Sequence, residues 1–277
     1  MNKHKKGVAN SLQHPFYMKG YIMSERIPLF EGERIDEVNE RLRLISRKDT
    51  LAFGTDAFLL YAFMRQAARE RAVELGCGGG IISLLTATRG KFSHIFAVEL
   101  QNEIAALAKR NVALNKLCEK ITVLADDARS ITPATLGGEV GVVFANPPYM
   151  RTDSGFASPH AAKQTARHET DGGIMEFAAA AARLLKYGGL FYSVYRPDRL
   201  SSLFSALTQN GFSPKRMIFV HDHSEAPPAM VLTEAKKGAA EGLSLLPPLF
   251  LHDTDENGKP KKALSAQAQK IYDNGCF

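Results

Sequence analysis

Between Ala72 and Thr233 the chain alternates short apolar runs with helix-like stretches, and this alternation restricts the fold more than any other feature of the 277 residues. The runs Ala72–Leu75, Ile95–Leu100, Ile121–Ala125, Val140–Ala145 and Leu190–Tyr195 have the length and residue types of strands. Between them lie helical stretches at Ile81–Thr88, Asn102–Leu114 and Gly173–Leu185, the last closed by Gly188 and Gly189. Strands that alternate with helices build a mostly parallel, doubly wound α/β sheet with helices on both faces. A further helix is expected over Pro197–Gln209, ending at Gly211. Met217–His221 and Ala229–Thr233 then follow as two strands in succession, which predicts an antiparallel edge hairpin near the C-terminus. Ahead of the first strand, Thr55 or Asp56 can cap a helix whose stripe of Phe58, Leu59, Ala62 and Phe63 runs to about Arg69. Leu42, Leu44 and Ile45 suit a short strand as well as a helix.

One main core is the economical division: an N-terminal arm and short extension over 1–49, a principal domain over 50–238, and a tail over 239–277 that carries the apolar segment Leu243–Leu251. Leu184–Tyr195 is interrupted by Lys186 and Gly188 and falls well short of the roughly 20 apolar residues that span a bilayer, so no membrane association is expected. Lys3, Lys5 and Lys6 are not followed by the apolar core of a secretory signal, which predicts a cytoplasmic protein. Cys77, Cys118 and Cys276 have no C-x-x-C spacing, and neither a disulfide nor a metal is expected. The net charge of +6 favours a polyanionic partner.

Chemistry concentrates where strands end. Val73-Glu74-Leu75-Gly76-Cys77-Gly78-Gly79-Gly80 leaves a strand and enters a helix, and Gly76, Gly78 and Gly80 let a ligand approach the main chain. Glu99 ends the next strand about 20 residues on, where a nucleotide-binding sheet sets an acid against ribose hydroxyls. The G-x-G-x-G spacing with Glu74 ahead of it differs from the dinucleotide fingerprint. An acid at Glu74 suits the ammonium and sulfonium of S-adenosyl-L-methionine and would sit poorly beside a pyrophosphate. The third strand ends in Ala125-Asp126-Asp127; Asp126 can accept from the cofactor's adenine amine, while Asp127 serves equally well as a turn cap.

The fourth strand runs into Asn146-Pro147-Pro148-Tyr149, where two prolines end the ladder and stiffen the chain at the same sheet edge. The Asn146 side chain and the Pro147 backbone each supply a carbonyl acceptor. An amine conjugated to a ring is a poor nucleophile until acceptors take its hydrogens, and these two carbonyls suit that task. Tyr149 offers a flat face for a planar target, whose extrusion from a base stack costs a few kcal/mol. Asn146, Pro147 and Tyr149 are therefore the candidate catalytic residues.

These motifs resemble the class I, Rossmann-like S-adenosylmethionine-dependent amino-methyltransferases and span most of residues 50–235. Within them, Gly54-Thr55-Asp56-Ala57-Phe58-Leu59-Leu60, Glu33-Arg34-Ile35-Asp36 and Arg167-His168-Glu169 are similar to the bacterial tRNA adenine-N6 methyltransferases that modify valine tRNA beside its anticodon. The resemblance implies a catalytic domain over 50–238, a tRNA substrate methylated at adenine 37, Thr55 beside the methionine end of the cofactor, and a 151–170 loop that helps form the target pocket. About 25 extra residues precede the family's usual start. The rival readings are a protein glutamine N5-methyltransferase, whose planar amide needs the same chemistry, and a DNA or rRNA amino-methyltransferase. His221 and His223 around Asp222 suggest a surface turn rather than a metal pair, Phe191, Tyr192 and Tyr195 suggest packing, and His168 is not assigned to catalysis.

Overall fold

The computed structural model describes residues 27–47, 54–147 and 173–277. Its centre is a nine-stranded sheet. Strands β3 (Ala67–Leu75), β4 (Phe92–Glu99), β5 (Ile121–Ala125), β6 (Val140–Ala145) and β7 (Leu185–Tyr195) are joined by parallel pairings in the order β5-β4-β3-β6-β7. Strand β9 (Pro228–Lys237) pairs antiparallel with both β7 and β8 (Phe212–His221). The expected antiparallel hairpin is present, with its outer strand flanked in turn by the short parallel strands β10 (Ser244–Leu245) and β11 (Leu249–Phe250).

Side chains of the parallel strands alternate between two cores, as the pleat requires. Ala72, Val142 and Phe144 face helices α1 (Thr55–Phe63), α2 (Ile81–Thr88) and α3 (Asn102–Leu114). Val73, Leu75, Val143 and Ala145 face α4 (Ile174–Leu184) and α5 (Leu200–Gln209). Phe191 and Tyr192 are buried on opposite faces, so they serve packing. Among the described residues no helix is long and apolar enough to cross a membrane.

Several boundaries differ from the sequence expectation. Helix α1 begins after an N-cap at Gly54, so Thr55 and Asp56 are its first helical residues rather than its cap. It stops at Phe63, not near Arg69, because side chains take its last carbonyls: Lys91 Nζ donates to Tyr61 O and Met64 O at 2.7 and 2.6 Å, and Arg216 donates to Phe63 O at 2.8 Å. Ala67 N already bonds Lys91 O at 2.9 Å, and β3 starts there, five residues before the apolar run. Gly188 and Gly189 do not close α4, since β7 begins at Leu185. They lie in a looped-out stretch of that strand, between the pairs Val140–Leu185 and Val142–Leu190, where a side chain on Gly189 would press on Gly141 O.

The ambiguous stretch around Leu42 is a strand. Strands β1 (Glu33–Asn39) and β2 (Leu42–Arg47) form a hairpin apart from the main sheet. The segment expected as a tail is folded. Beyond β11 it forms a second hairpin, β12 (His252–Thr254) with β13 (Pro260–Leu264), and ends in helix α6 (Ala266–Asn274), capped by Ser265. The Tyr272 ring stacks on Phe58 of α1 at 4.2 Å, and Leu249, Ala268 and Ile271 join the core beneath.

The turn from β3 into α2 is braced by an enclosed acid. Glu74 is 1% exposed, accepts the Ser83 backbone N–H at 2.9 Å, and also takes the Ser83 hydroxyl. Removal from water pushes its carboxyl from the ordinary 4.5 up to about 8, the hydrogen bonds from Ser83 opposing the shift only in part.

Two outcomes are expected from this architecture. Leu249→Ala should cost about 2–5 kcal/mol in urea unfolding, whereas Leu245→Ala, at a site 65% exposed, should stay within about 0.5 kcal/mol; equal losses would mean that β11 is not part of the core. Folded Glu74 keeps its proton up to about pH 8 while the unfolded chain loses it near 4.5, so its contribution to stability is full below about 4.5 and declines as pH rises to 8. Glu74→Gln should therefore gain on the wild type by up to about 1.4 kcal/mol per pH unit across that window. Parallel melting profiles from pH 5 to 8 would show that Glu74 is ionised in the fold.

Candidate active site

The strand order reverses between β3 and β6, and a crevice opens outside the carboxyl ends of strands at such a point. Gly76, Gly78 and Gly80 all adopt positive φ, at 69°, 53° and 87°, a conformation other residues reach only with strain. Their surroundings differ. Gly76 lies against the Phe177 ring and Gly80 against Ala108, which sets the loop between α4 and α3, whereas a Cβ on Gly78 would project into open space.

Glu99 holds this loop from the next strand. Its carboxylate accepts from Gly78 N at 2.9 Å and from Gln101 N at 3.0 Å. A carboxylate has about four acceptor sites, so two remain for a vicinal diol. Leu100 follows at the strand end, 41% exposed, and gives the edge an apolar surface beside the acid. The enclosed carboxyl of Glu74, expected to meet a cation, lies beneath the loop and is taken by Ser83, so any influence on a bound cation acts through the loop.

The two aspartates after β5 have separate tasks. Asp127 chelates the Arg129 guanidinium through both oxygens, which holds its carboxyl below the usual range, and it turns the chain by accepting Arg129 N. Asp126 is exposed at the edge. Its Oδ1 accepts from Ser130 Oγ at 2.8 Å and Asp127 N at 2.7 Å, which leaves Oδ2 as its spare acceptor among the described residues. Arg183 of α4 anchors this loop by donating to Ile131 O and Ala128 O at 2.7 and 2.8 Å.

Asn146 and Pro147 leave β6 on the other side of the crevice. Asn146 donates its amide to Asp56 Oδ2 at 2.9 Å, and its side-chain oxygen is buried without a hydrogen-bond partner among the described residues. A buried acceptor left unpaired normally costs about 1–3 kcal/mol. It is tolerated most readily where a ligand's donor will pair it. Asp56 and Asn146 meet although 90 residues separate them, and Thr55 precedes Asp56 as the first residue of α1. Tyr149 and the 151–170 loop lie outside the described residues. Among the described residues no group of three or more His, Cys, Asp or Glu could hold a metal, and His221 Nδ1 lies 2.8 Å from Ala226 O in a local turn.

Sequence reasoning missed four residues that build this site. Asp56 stands in the sequence as a candidate helix cap and a member of the Gly54–Leu60 motif, with no role assigned at the site, and Ser83 and Arg183 carry no motif. Asn111 is wholly buried, donates to Gly79 O at 3.0 Å, and accepts from Ile45 N of β2 at 2.6 Å. The one available signal was an asparagine on the apolar face of α3, beside Ala105, Ala108 and Val112.

The acceptor set fits S-adenosyl-L-methionine: an acid with spare lone pairs for a ribose, an exposed Asp126 carboxylate for an adenine amine, and open space at Gly78. Comparison with known proteins agrees. A tRNA1(Val) (adenine(37)-N6)-methyltransferase of Phocaeicola vulgatus is 32% identical over 183 residues, 66% of this chain and 76% of the relative. One of the same name from Escherichia coli O157:H7 is 29% identical over 222 residues, 79% and 87% of the two chains. The crystal structure of a predicted O-methyltransferase from Agrobacterium tumefaciens shares the fold, with a TM-score of 0.62 at 22% identity, covering 80% of this chain and 96% of that one. Residues 46–199, from the end of β2 to the start of α5, match the methyltransferase small domain, and the chain belongs to that family.

Proposed function

We propose that the protein methylates the exocyclic N6 amine of an adenine in tRNA, adenine 37 of a valine tRNA being the site named for its relatives. What supports this reading is the Asn146 carbonyl, buried, without a partner among the described residues, and held at the crevice beside the glycine loop. When bound, S-adenosyl-L-methionine supplies a methyl group activated by its sulfonium. The chain's own residues do the rest. Glu99 takes the ribose hydroxyls and Asp126 the adenine amine of the cofactor, while the turn through Gly76, Gly78 and Gly80 admits it to the main chain. Thr55, at the start of α1, lies toward the methionine end.

On the target side, Asn146 Oδ1 and the Pro147 carbonyl accept the two amine hydrogens, which draws the nitrogen lone pair out of conjugation and toward the incoming methyl. Tyr149 stacks on the adenine. No strong base is required, because the alkylated nitrogen sheds its proton readily. The net charge of +6 suits an RNA partner, and tRNA places the enzyme in the cytoplasm. A protein glutamine would need the same two carbonyls, but the relatives named here act by name on tRNA.

The test is to offer radiolabelled S-adenosyl-L-methionine with unmodified tRNA, total protein and duplex DNA, and to digest the labelled product. N6-methyladenine from tRNA is the expected outcome; label in protein or DNA would overturn the substrate. Asn146→Ala should lower kcat about 100- to 1000-fold, the scale of losing one preorganised hydrogen-bond partner of a transition state. Cofactor affinity should change little. Glu99→Ala should do the reverse, weakening cofactor binding by about 1–3 kcal/mol in calorimetric titration.

A further inference from the structure

A side-chain amide has a donor end and an acceptor end of nearly the same shape, so an asparagine that must present its carbonyl needs something to fix which way it points. Asp56 supplies this. Its ionised carboxylate can only accept, and its Oδ2 lies 2.9 Å from Asn146 Nδ2. That selects the amino end of Asn146 and turns the carbonyl to the opposite side, where it has no partner among the described residues. The carboxylate is itself held, since its Oδ1 accepts the Ala57 backbone N–H at 2.9 Å at the start of α1. Gly54 leaves the space it occupies, because a Cβ at position 54 would collide with Asp56 Oδ1.

We infer that Asp56 is a positioning residue for methyl transfer: it aims and polarises the Asn146 amide, and so sets the strength of the acceptor that the target amine meets. The inference rests on the proposed role of Asn146. As the amine gains positive character in the transition state, its hydrogen pulls electron density onto Asn146 Oδ1 and leaves Nδ2 more positive. An anion bonded to Nδ2 is favoured by that redistribution, because a hydrogen bond to an ionised partner is roughly twice as strong as a neutral one. The effect is therefore larger in the transition state than in the ground state, and it appears in kcat.

Four single substitutions and two double variants built from them, assayed with S-adenosyl-L-methionine and unmodified tRNA and checked by thermal melting, test this. Asp56→Ala should lower kcat about 100-fold, the scale of a misplaced catalytic group, with cofactor affinity and KM for tRNA little changed. Asp56→Asn keeps an acceptor oxygen but loses the charge and should fall between wild type and Asp56→Ala. In an Asn146→Ala background Asp56→Ala should have no further effect, since nothing remains to be aimed. Asn146→Asp alone sets two carboxylates against each other and should be severely impaired. Joining it to Asp56→Asn restores a donor–acceptor pair in the reverse sense and should recover at least about 10-fold in kcat, an outcome that general loosening of α1 would not give. Retention of kcat by Asn146→Ala would overturn the reading of the site itself. Collapse of Asn146→Ala with normal kcat in Asp56→Ala, multiplicative losses in the double variant, or no recovery in the reversed pair would overturn the role of Asp56 alone.

Discussion

In a parallel sheet the evenly spaced, slanted hydrogen bonds fix how far each strand runs relative to its neighbour. Here that register sets Leu75 opposite both Val98 and Ala145, and Glu99 opposite Ala125. The residue that follows each of these ends is therefore brought to one line, and the line is the site: Gly76 after β3, Glu99 itself on β4, Asp126 after β5 and Asn146 after β6. A shift of one residue in any pairing would turn the outgoing side chain to the other face. Buried contacts on both faces prevent this, since Val73, Leu75 and Val143 fill one core while Ala72, Val142 and Phe144 fill the other.

A second constraint ties the accessory hairpin to this line. Asn111 of α3 and Asn115 at its C-cap lie four residues apart and act as an edge strand would. Asn111 exchanges hydrogen bonds with the N–H and C=O of Ile45, at 2.6 and 3.3 Å, and Asn115 does the same with Arg43, at 2.9 and 2.7 Å. Two amides thus satisfy one side of β2, which would otherwise expose a row of unpaired backbone groups. The same Asn111 amide also bonds Gly79 O, so one side chain joins the glycine loop, the helix after Glu99 and the hairpin. Arg110, the residue before it, grips Glu33 of β1 through both guanidinium ends and lies over the Phe30 ring.

Legibility in the sequence followed how local each determinant is. Helices α2 and α3 and strands β5 and β6 were readable to their end residues because the apolar pattern that marks each lies within its own stretch of sequence. Strand β3 was half hidden, since Ala67–Arg71 is charged and pairs at the solvated end of the sheet, where Arg71 reaches across to the carbonyls of Leu136 and Glu139. The end of α1 was misjudged because what stops it, Lys91 and Arg216, lies elsewhere in the chain. Motif spacing identified the acids and the glycines, but the aiming of Asn146 depends on a contact that no window of sequence contains. The tail was obscure for a like reason: its apolar segment Leu243–Leu251 is broken by Pro247 and Pro248, and the strands and helix it feeds are fixed by distant partners on β8 and α1.

The stacking of Tyr272 on Phe58, with Phe277 edge-on to Phe63, also has a consequence in time. A chain leaves the ribosome from its N-terminus at roughly 5–20 residues per second. Helix α1 is made early, yet the aromatic rings that cover its outer face emerge on the order of tens of seconds later. During that interval the glycine loop and the strands around it can already be assembled, while the helix that carries Asp56 still shows Phe58 and Phe63 to solvent or to a chaperone. The cleft can thus be laid down before the helix beside it gains its last cover, which comes with the far end of the chain.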